Sequence, residues 1–187
     1  MTNTSLHYTK TAKSLHWLMA LLLTGMIALG LTMQDLPLSP QKLQLYAWHK
    51  WAGVSLFLLV IIRLAWRLMH PPPPLPWHMS TLQRMTAQAS HVALYGLMLA
   101  IPLSGWLMSS AKGFQTVWFG VLPLPDLLAK DKALGNLLQS VHWGLNVTLI
   151  TTVTLHLAAS LKHHFFDQDD ILMRMLPTRR KSPVNGK

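Results

Sequence analysis

The sequence predicts an all-α membrane protein, an antiparallel bundle of four transmembrane helices. Three observations lead there. Of 187 residues, 51% are hydrophobic and only 12% are charged, about half the charged share usual in a soluble domain. Four apolar stretches each reach the ~20 residues needed to cross a bilayer. Spans of that length are helices, because a barrel would show short alternating strands.

The first span is placed at about 14–34, and its run from Ser14 to Met33 has no charge. The second lies at about 48–69, with Arg63 and Arg67 near its end, and the third, uncharged, at about 85–111. The fourth lies at about 138–162, inside a 29-residue uncharged run from Ala133 to Leu161 whose first turns are expected outside the hydrocarbon. Pro37 and Pro40 close the first hairpin, and Pro71 to Pro74 plus Pro76 make a stiff extended linker after the second span. Gly113, Gly120, Pro123 and Pro125 break the third and longest connection, where a short surface helix is expected between about Leu127 and Leu138. One domain spanning 1–187 is expected, with no internal repeat.

The basic residues orient the bundle. With the N-terminus inside, the inner segments hold eleven: Lys10, Lys13, Arg63, Arg67, Arg84, Lys162, Arg174, Arg179, Arg180, Lys181 and Lys187. The outer segments hold five: Lys42, Lys50, Lys112, Lys130 and Lys132. Both termini are therefore expected in the cytoplasm. The first span lacks an A-x-A-like cleavage site and is read as retained, not as a signal peptide. Trp48, Trp51, Trp106, Trp118 and Trp143 fall near the outer interface, as an aromatic belt does.

The chain has no cysteine, which excludes disulfides, thiolate-ligated clusters, cysteine nucleophiles and covalent c-type haem attachment. It has ten histidines, and ionisable residues inside spans point to function. His142 and His156 are fourteen apart, roughly 40° short of four full turns, so they share one helix face about 21 Å apart along the axis. Helix direction puts His16 at the depth of His156, and His49 at the depth of His142. Two histidine pairs stacked across a membrane suit a cofactor that takes two trans imidazoles, and haem b does so without covalent attachment in a bundle core. Two haem b groups are expected in the core, with His16, His49, His142 and His156 as axial iron ligands.

The same spacing recurs. Fourteen after His16 comes Gly30, fourteen after His91 comes Gly105, and fourteen after His49 comes Arg63. A residue without a side chain lets a flat macrocycle lie against the backbone, although small residues also pack membrane helices. Arg63, at the inner level, could pair with a haem propionate, whereas Arg67 fits a side chain that snorkels to the headgroups. His91 could compete with His16 as the inner ligand or hydrogen-bond a propionate. His163 lies one heptad beyond His156 on nearly the same face, about 10 Å farther inside. His7, His70, His78 and His164 lie in or beside inner loops. Zinc motifs place histidines three or four apart on one helix; no span has that spacing, and no Glu is present to act as a zincin base.

These residues resemble the bacterial di-haem cytochrome b561 family, which includes the superoxide oxidase of inner membranes. The matching pieces are Lys13-Ser14-Leu15-His16-Trp17, Trp48-His49-Lys50, Arg63-Leu64-Ala65-Trp66-Arg67 before Pro71 to Pro74, His91-Val92-Ala93-Leu94-Tyr95, Val141-His142-Trp143, and Leu155-His156 leading to Lys162-His163-His164-Phe165. The stretch through Asp167, Asp169, Asp170 and Arg174-Met175 also fits, and the likeness covers about residues 8 to 177.

The resemblance implies a four-helix cytochrome in the bacterial inner membrane, with His16 and His156 on the inner haem and His49 and His142 on the outer one. It implies superoxide as the donor outside and ubiquinone as the acceptor inside, in a pocket that uses the linker and the end of the fourth helix, here His78 and His163. Where the superoxide-oxidising member carries a lysine in this linker, this chain has His78. His163 is then the candidate proton donor to the reduced quinone. The outer loops, with five Lys and three Asp, could steer a small anion. An electron-transfer subunit joining the quinone pool to a periplasmic redox protein docked on the 112–138 loop stays open, as does a non-redox transporter or scaffold. Besides lipid, the expected partners are ubiquinone and either superoxide or that redox protein, with no nucleic acid. No catalytic residue is singled out.

Overall fold

The computed structural model describes residues 7–77 and 79–177. Four long helices, α1 (Lys10–Asp35), α2 (Pro40–Met69), α3 (Thr81–Ala111) and α4 (Lys132–Phe165), form the expected bundle, and α5 (Ile171–Met175) follows. All four are long and apolar enough to cross a membrane. Each starts at a side chain that satisfies a free backbone N–H of its first turn. Thr9 accepts from the Ala12 N–H, Ser39 from Lys42, Ser80 from Gln83 in a full capping box, and Asp131 from Ala133 and Leu134. Pro40 occupies the first turn of α2, where its missing N–H costs nothing.

These caps, not the hydrocarbon boundary, set the helix ends, so the helices run several residues beyond the apolar spans. The surface helix expected over 127–138 does not form separately. Residues 127–131 are irregular, and from Lys132 the chain belongs to α4. Asp131 caps α4 there and also donates its N–H to the Ala111 carbonyl, which joins the end of α3 to the start of α4.

The connection from α3 to α4 carries a two-stranded antiparallel hairpin, β1 (Val117–Trp118) and β2 (Leu122–Pro123), in register Val117↔Pro123. Phe119 and Gly120 at its tip both take positive φ, 50° and 73°, the conformation a tight hairpin turn requires. Several of the belt tryptophans hold this connection. Trp51 donates its indole N–H to the Val117 carbonyl at 2.6 Å, Trp106 to Pro125 at 3.0 Å, and Trp118 to the Ser55 hydroxyl at 3.3 Å.

The buried centre is small: Met19, Leu56 and Val60, with Leu22, Leu59, Tyr95 and Met98 against them. Leu21, Ile62, Val92, Leu137 and Leu155 point outward. Large apolar side chains on the outside of long apolar helices are the surface that lipid covers. The order α1–α2–α3–α4 leaves two ends. One, the terminal end, has the start of α1, the linker and α5. The other, the hairpin end, has the α1–α2 turn and the β-hairpin.

Candidate functional site

At the hairpin end, His49 of α2 and His142 of α4 face each other, with ring centroids 6.4 Å apart and planes at 77°. A metal ion bonded to one nitrogen of each ring at about 2 Å needs a separation of this size. The glycines lie on the same pair of rings. A Cβ on Gly30 would stand 3.4 Å from His49 Cε1, and one on Gly105 only 3.1 Å from His142 Cε1. The fourteen-residue spacing thus brings both glycines to the rings, as a close approach of backbone to ring requires.

The second ring nitrogens differ. His142 Nδ1 lies 2.9 Å from Ser104 Oγ and 3.1 Å from the Ile101 carbonyl. His49 Nδ1 is buried with no hydrogen-bond partner. A buried polar atom left unpaired is costly. The donor set here, two imidazoles, two glycines and otherwise apolar helices, fits a non-covalently bound haem.

At the terminal end, α1, α2, α3 and α4 contribute His16, Arg63, His91 with Tyr95, and His156. The His91 and His156 rings are 5.6 Å apart. His16 Nδ1 is 3.2 Å from Arg63 Nη2. Arg63 also donates from Nε to the Tyr95 hydroxyl at 3.1 Å and from Nη1 to the Ala12 carbonyl. All three partners are neutral, and among the described residues no carboxylate sits on this cation. Arg67 does not simply snorkel away: its guanidinium stands 5.7 Å above the Tyr95 ring. Tyr8, Arg63, Arg67, His70, Pro72 and Tyr95 border a small cleft between the helices and the linker. Burial holds the Tyr8 hydroxyl above its ordinary range against the pull of the two arginines.

Farther along α4, His163 Nδ1 lies 2.7 Å from Asp169 Oδ2 and 3.1 Å from Asp167 Oδ2. Gln168, at φ 54°, turns the chain back so that Asp169 reaches the imidazole. The Asp169 side chain is only 3% exposed, and its other oxygen accepts from the Ile171 N–H. The ammonium of Lys162 takes both oxygens of Asp167. Arg174 of α5 pairs with Asp170, which holds that carboxyl below its ordinary range, and donates to the Pro74 carbonyl at 2.6 Å. The linker is thereby tied to the end of α4 through α5. His78 lies outside the described residues. His70 stacks on Trp66 with centroids 4.0 Å apart, and His164 lies edge-on to Phe165.

Sequence reasoning singled out neither Ser104 nor Tyr95 as a partner of a histidine or an arginine. Each lies on another helix from the residue it serves, so no spacing along one helix reveals the contact. Asp169 was legible only as part of an acidic run after His163-His164.

A family model described as prokaryotic cytochrome b561 matches residues 7–178. The chain belongs to the prokaryotic cytochrome b561 family. It is 38% identical over 183 residues, 94% of each chain, to a protein of Escherichia coli K12 named cytochrome b561 homolog 2. It is 31% identical over 141 residues to cytochrome b561 homolog 1 of the same organism, covering 71% of this chain and 74% of that one. A protein of Yersinia pestis named probable superoxide oxidase CybB is 27% identical over 132 residues, with the same coverage. As a cytochrome b561 the chain is a multi-pass bacterial membrane protein that binds haem b and transfers electrons.

Proposed function

We propose that this cytochrome b561 takes electrons from superoxide at the hairpin end and delivers them to ubiquinone at the terminal end, with both termini in the cytoplasm. The observation that carries the reading is the pair of histidine clusters at the two ends of one bundle, one held between glycines and one beside an arginine without a carboxylate. His49 and His142 would hold the haem at the hairpin end, and His16 and His156 the one at the terminal end, where His91 beside His156 is the second candidate. Two haem b groups held there supply one-electron chemistry at two depths. Arg63 serves as the cation for a propionate, and its neutral contacts leave it free to do so. The name of the Yersinia pestis relative supports superoxide as the donor.

Lys42, Lys50, Lys112, Lys130 and Lys132 give the hairpin end a positive field for a small anion. Lys42 and Lys50 are tied to the carbonyls of Leu36 and Phe114, so their charges stand at fixed places. For each quinone reduced, two superoxide anions become two dioxygen molecules at the hairpin end, and at the terminal end the quinone takes up two electrons and two protons. His163, with Nδ1 held by Asp169, presents Nε2 to a quinone oxygen and gives a proton there as charge builds. Arg174 ties the linker at Pro74, and His78, which follows in the sequence, is the second candidate for a quinone contact.

A second reading has an observation of its own. The 38% identical relative is named only as a cytochrome b561 homolog, and the β-hairpin exposes Phe119, Val121 and Leu122 at the hairpin end, a surface on which a periplasmic redox protein would dock. Superoxide added to the purified, haem-loaded protein separates the two. Rapid haem reduction followed by reoxidation with ubiquinone supports the first reading. Haems inert to superoxide but reduced by quinol or a protein donor support the second. Absence of a bis-imidazole b-type spectrum refutes both.

A further inference from the structure

The candidate ligands differ in what holds their second ring nitrogen. His16 Nδ1 faces Arg63, which can only donate, and His49 Nδ1 has no partner. His142 Nδ1 faces a carbonyl, which can only accept, so it carries a proton and the lone pair lies on Nε2. Ser104 Oγ donates its one proton to the same Ile101 carbonyl at 2.7 Å, so it too accepts from His142 Nδ1. Ser104 is buried, 6% exposed. Both acceptors belong to one turn of α3, and Gly105, next in the chain, gives the ring its space.

We propose that Ser104 is a positioning residue for His142. Together with the Ile101 carbonyl it holds the Nδ1–H tautomer, aims Nε2 at the iron and strengthens electron donation from that nitrogen. The haem at the hairpin end is then held by one strongly and one weakly supported imidazole. Stronger donation favours ferric over ferrous iron, so Ser104 lowers the potential of that haem. The proposal rests on His142 being an axial ligand and adds the group that tunes it.

The test is a redox titration of purified, haem-loaded wild type, Ser104→Ala, Ser104→Thr and His142→Ala, followed by absorption and by the low-spin ferric resonance. Ser104→Ala is expected to keep both haems. The ferric-to-ferrous ratio of the hairpin-end haem at fixed potential should fall roughly threefold to tenfold, the range one net hydrogen bond spans. The other haem should not move, and Ser104→Thr, which keeps the hydroxyl, should titrate as wild type. If Ser104→Ala does not load haem, Ser104→Cys, a weaker acceptor, should show the same shift. An unchanged potential and resonance in Ser104→Ala overturns the proposal, as does an equal shift of both haems or a threonine variant that behaves like alanine. A hairpin-end haem retained in His142→Ala overturns the ligand assignment itself. Its loss there, with Ser104→Ala silent, overturns only the role of Ser104.

Discussion

Gly105 and Gly30 occupy equivalent places, each on a helix flanking the His49–His142 pair, yet alanine at the two positions should act differently. Glycine to alanine inside a helix is favourable by about 1 kcal/mol when nothing obstructs the methyl group. At Gly30 the new Cβ would meet His49 Cε1 at 3.4 Å, an ordinary contact. His49 has no hydrogen bond at Nδ1 to hold it in place, so its ring can yield. Gly30→Ala should therefore leave stability unchanged or raised by up to about 1 kcal/mol. At Gly105 the Cβ would stand 3.1 Å from His142 Cε1 and 3.4 Å from Nδ1. That ring is held by Ser104 and Ile101 on the same side, so retreat means breaking those bonds. Overpacking of this kind costs about 1–3 kcal/mol, which exceeds the helix gain. Gly105→Ala should lower the haem-to-protein ratio by losing the hairpin-end haem and reduce thermal stability in detergent, while Gly30→Ala keeps both haems. Haem content by pyridine haemochrome and melting of the two variants beside wild type checks this. A Gly105→Ala protein with full haem content and unchanged melting would refute the reasoning, as would Gly30→Ala proving the more damaging.

The four ligands should behave as two independent pairs: His49→Ala or His142→Ala removes the hairpin-end haem and leaves the other signal, and His16→Ala or His156→Ala does the converse. If His91→Ala abolishes a haem and His16→Ala does not, His91 replaces His16 as the ligand. His163→Ala should keep both haems and their rapid reduction but slow reoxidation by ubiquinone by about tenfold or more, as loss of a general acid does; unchanged reoxidation, with His78→Ala also silent, moves the quinone elsewhere. A C-terminal fluorescent reporter should glow and a C-terminal alkaline phosphatase fusion should be inactive, because the basic residues divide eleven to five; an active phosphatase reverses the orientation.

The sequence by itself determined the bundle, because lipid leaves an apolar chain few choices. Every backbone group must bond within its own segment, so four long apolar runs can only become four helices. The face shared by His142 and His156 follows from the helical repeat alone, and so does the return of Gly30 and Gly105 to the level of the opposite histidine pair. The helix ends were legible less well. Thr9, Ser39, Ser80 and Asp131 are cap residues by type, but hydropathy stops at the hydrocarbon edge and the helices do not. The hairpin at 117–123 escaped notice because two-residue strands leave no periodicity, and what holds it is distant in sequence: the Trp51 indole on Val117, the hairpin's own Trp118 indole on Ser55, and Trp106 on Pro125 just beyond it. Only the tertiary structure decided the contacts between helices, Ser104 on His142, Tyr95 on Arg63 and His91 beside His156, and the turn that folds Asp169 back on His163. Helical periodicity states which face a side chain occupies. The rotation and depth at which two helices meet depend on packing across the bundle, and that packing decides which histidine nitrogen finds a partner and which is left without one.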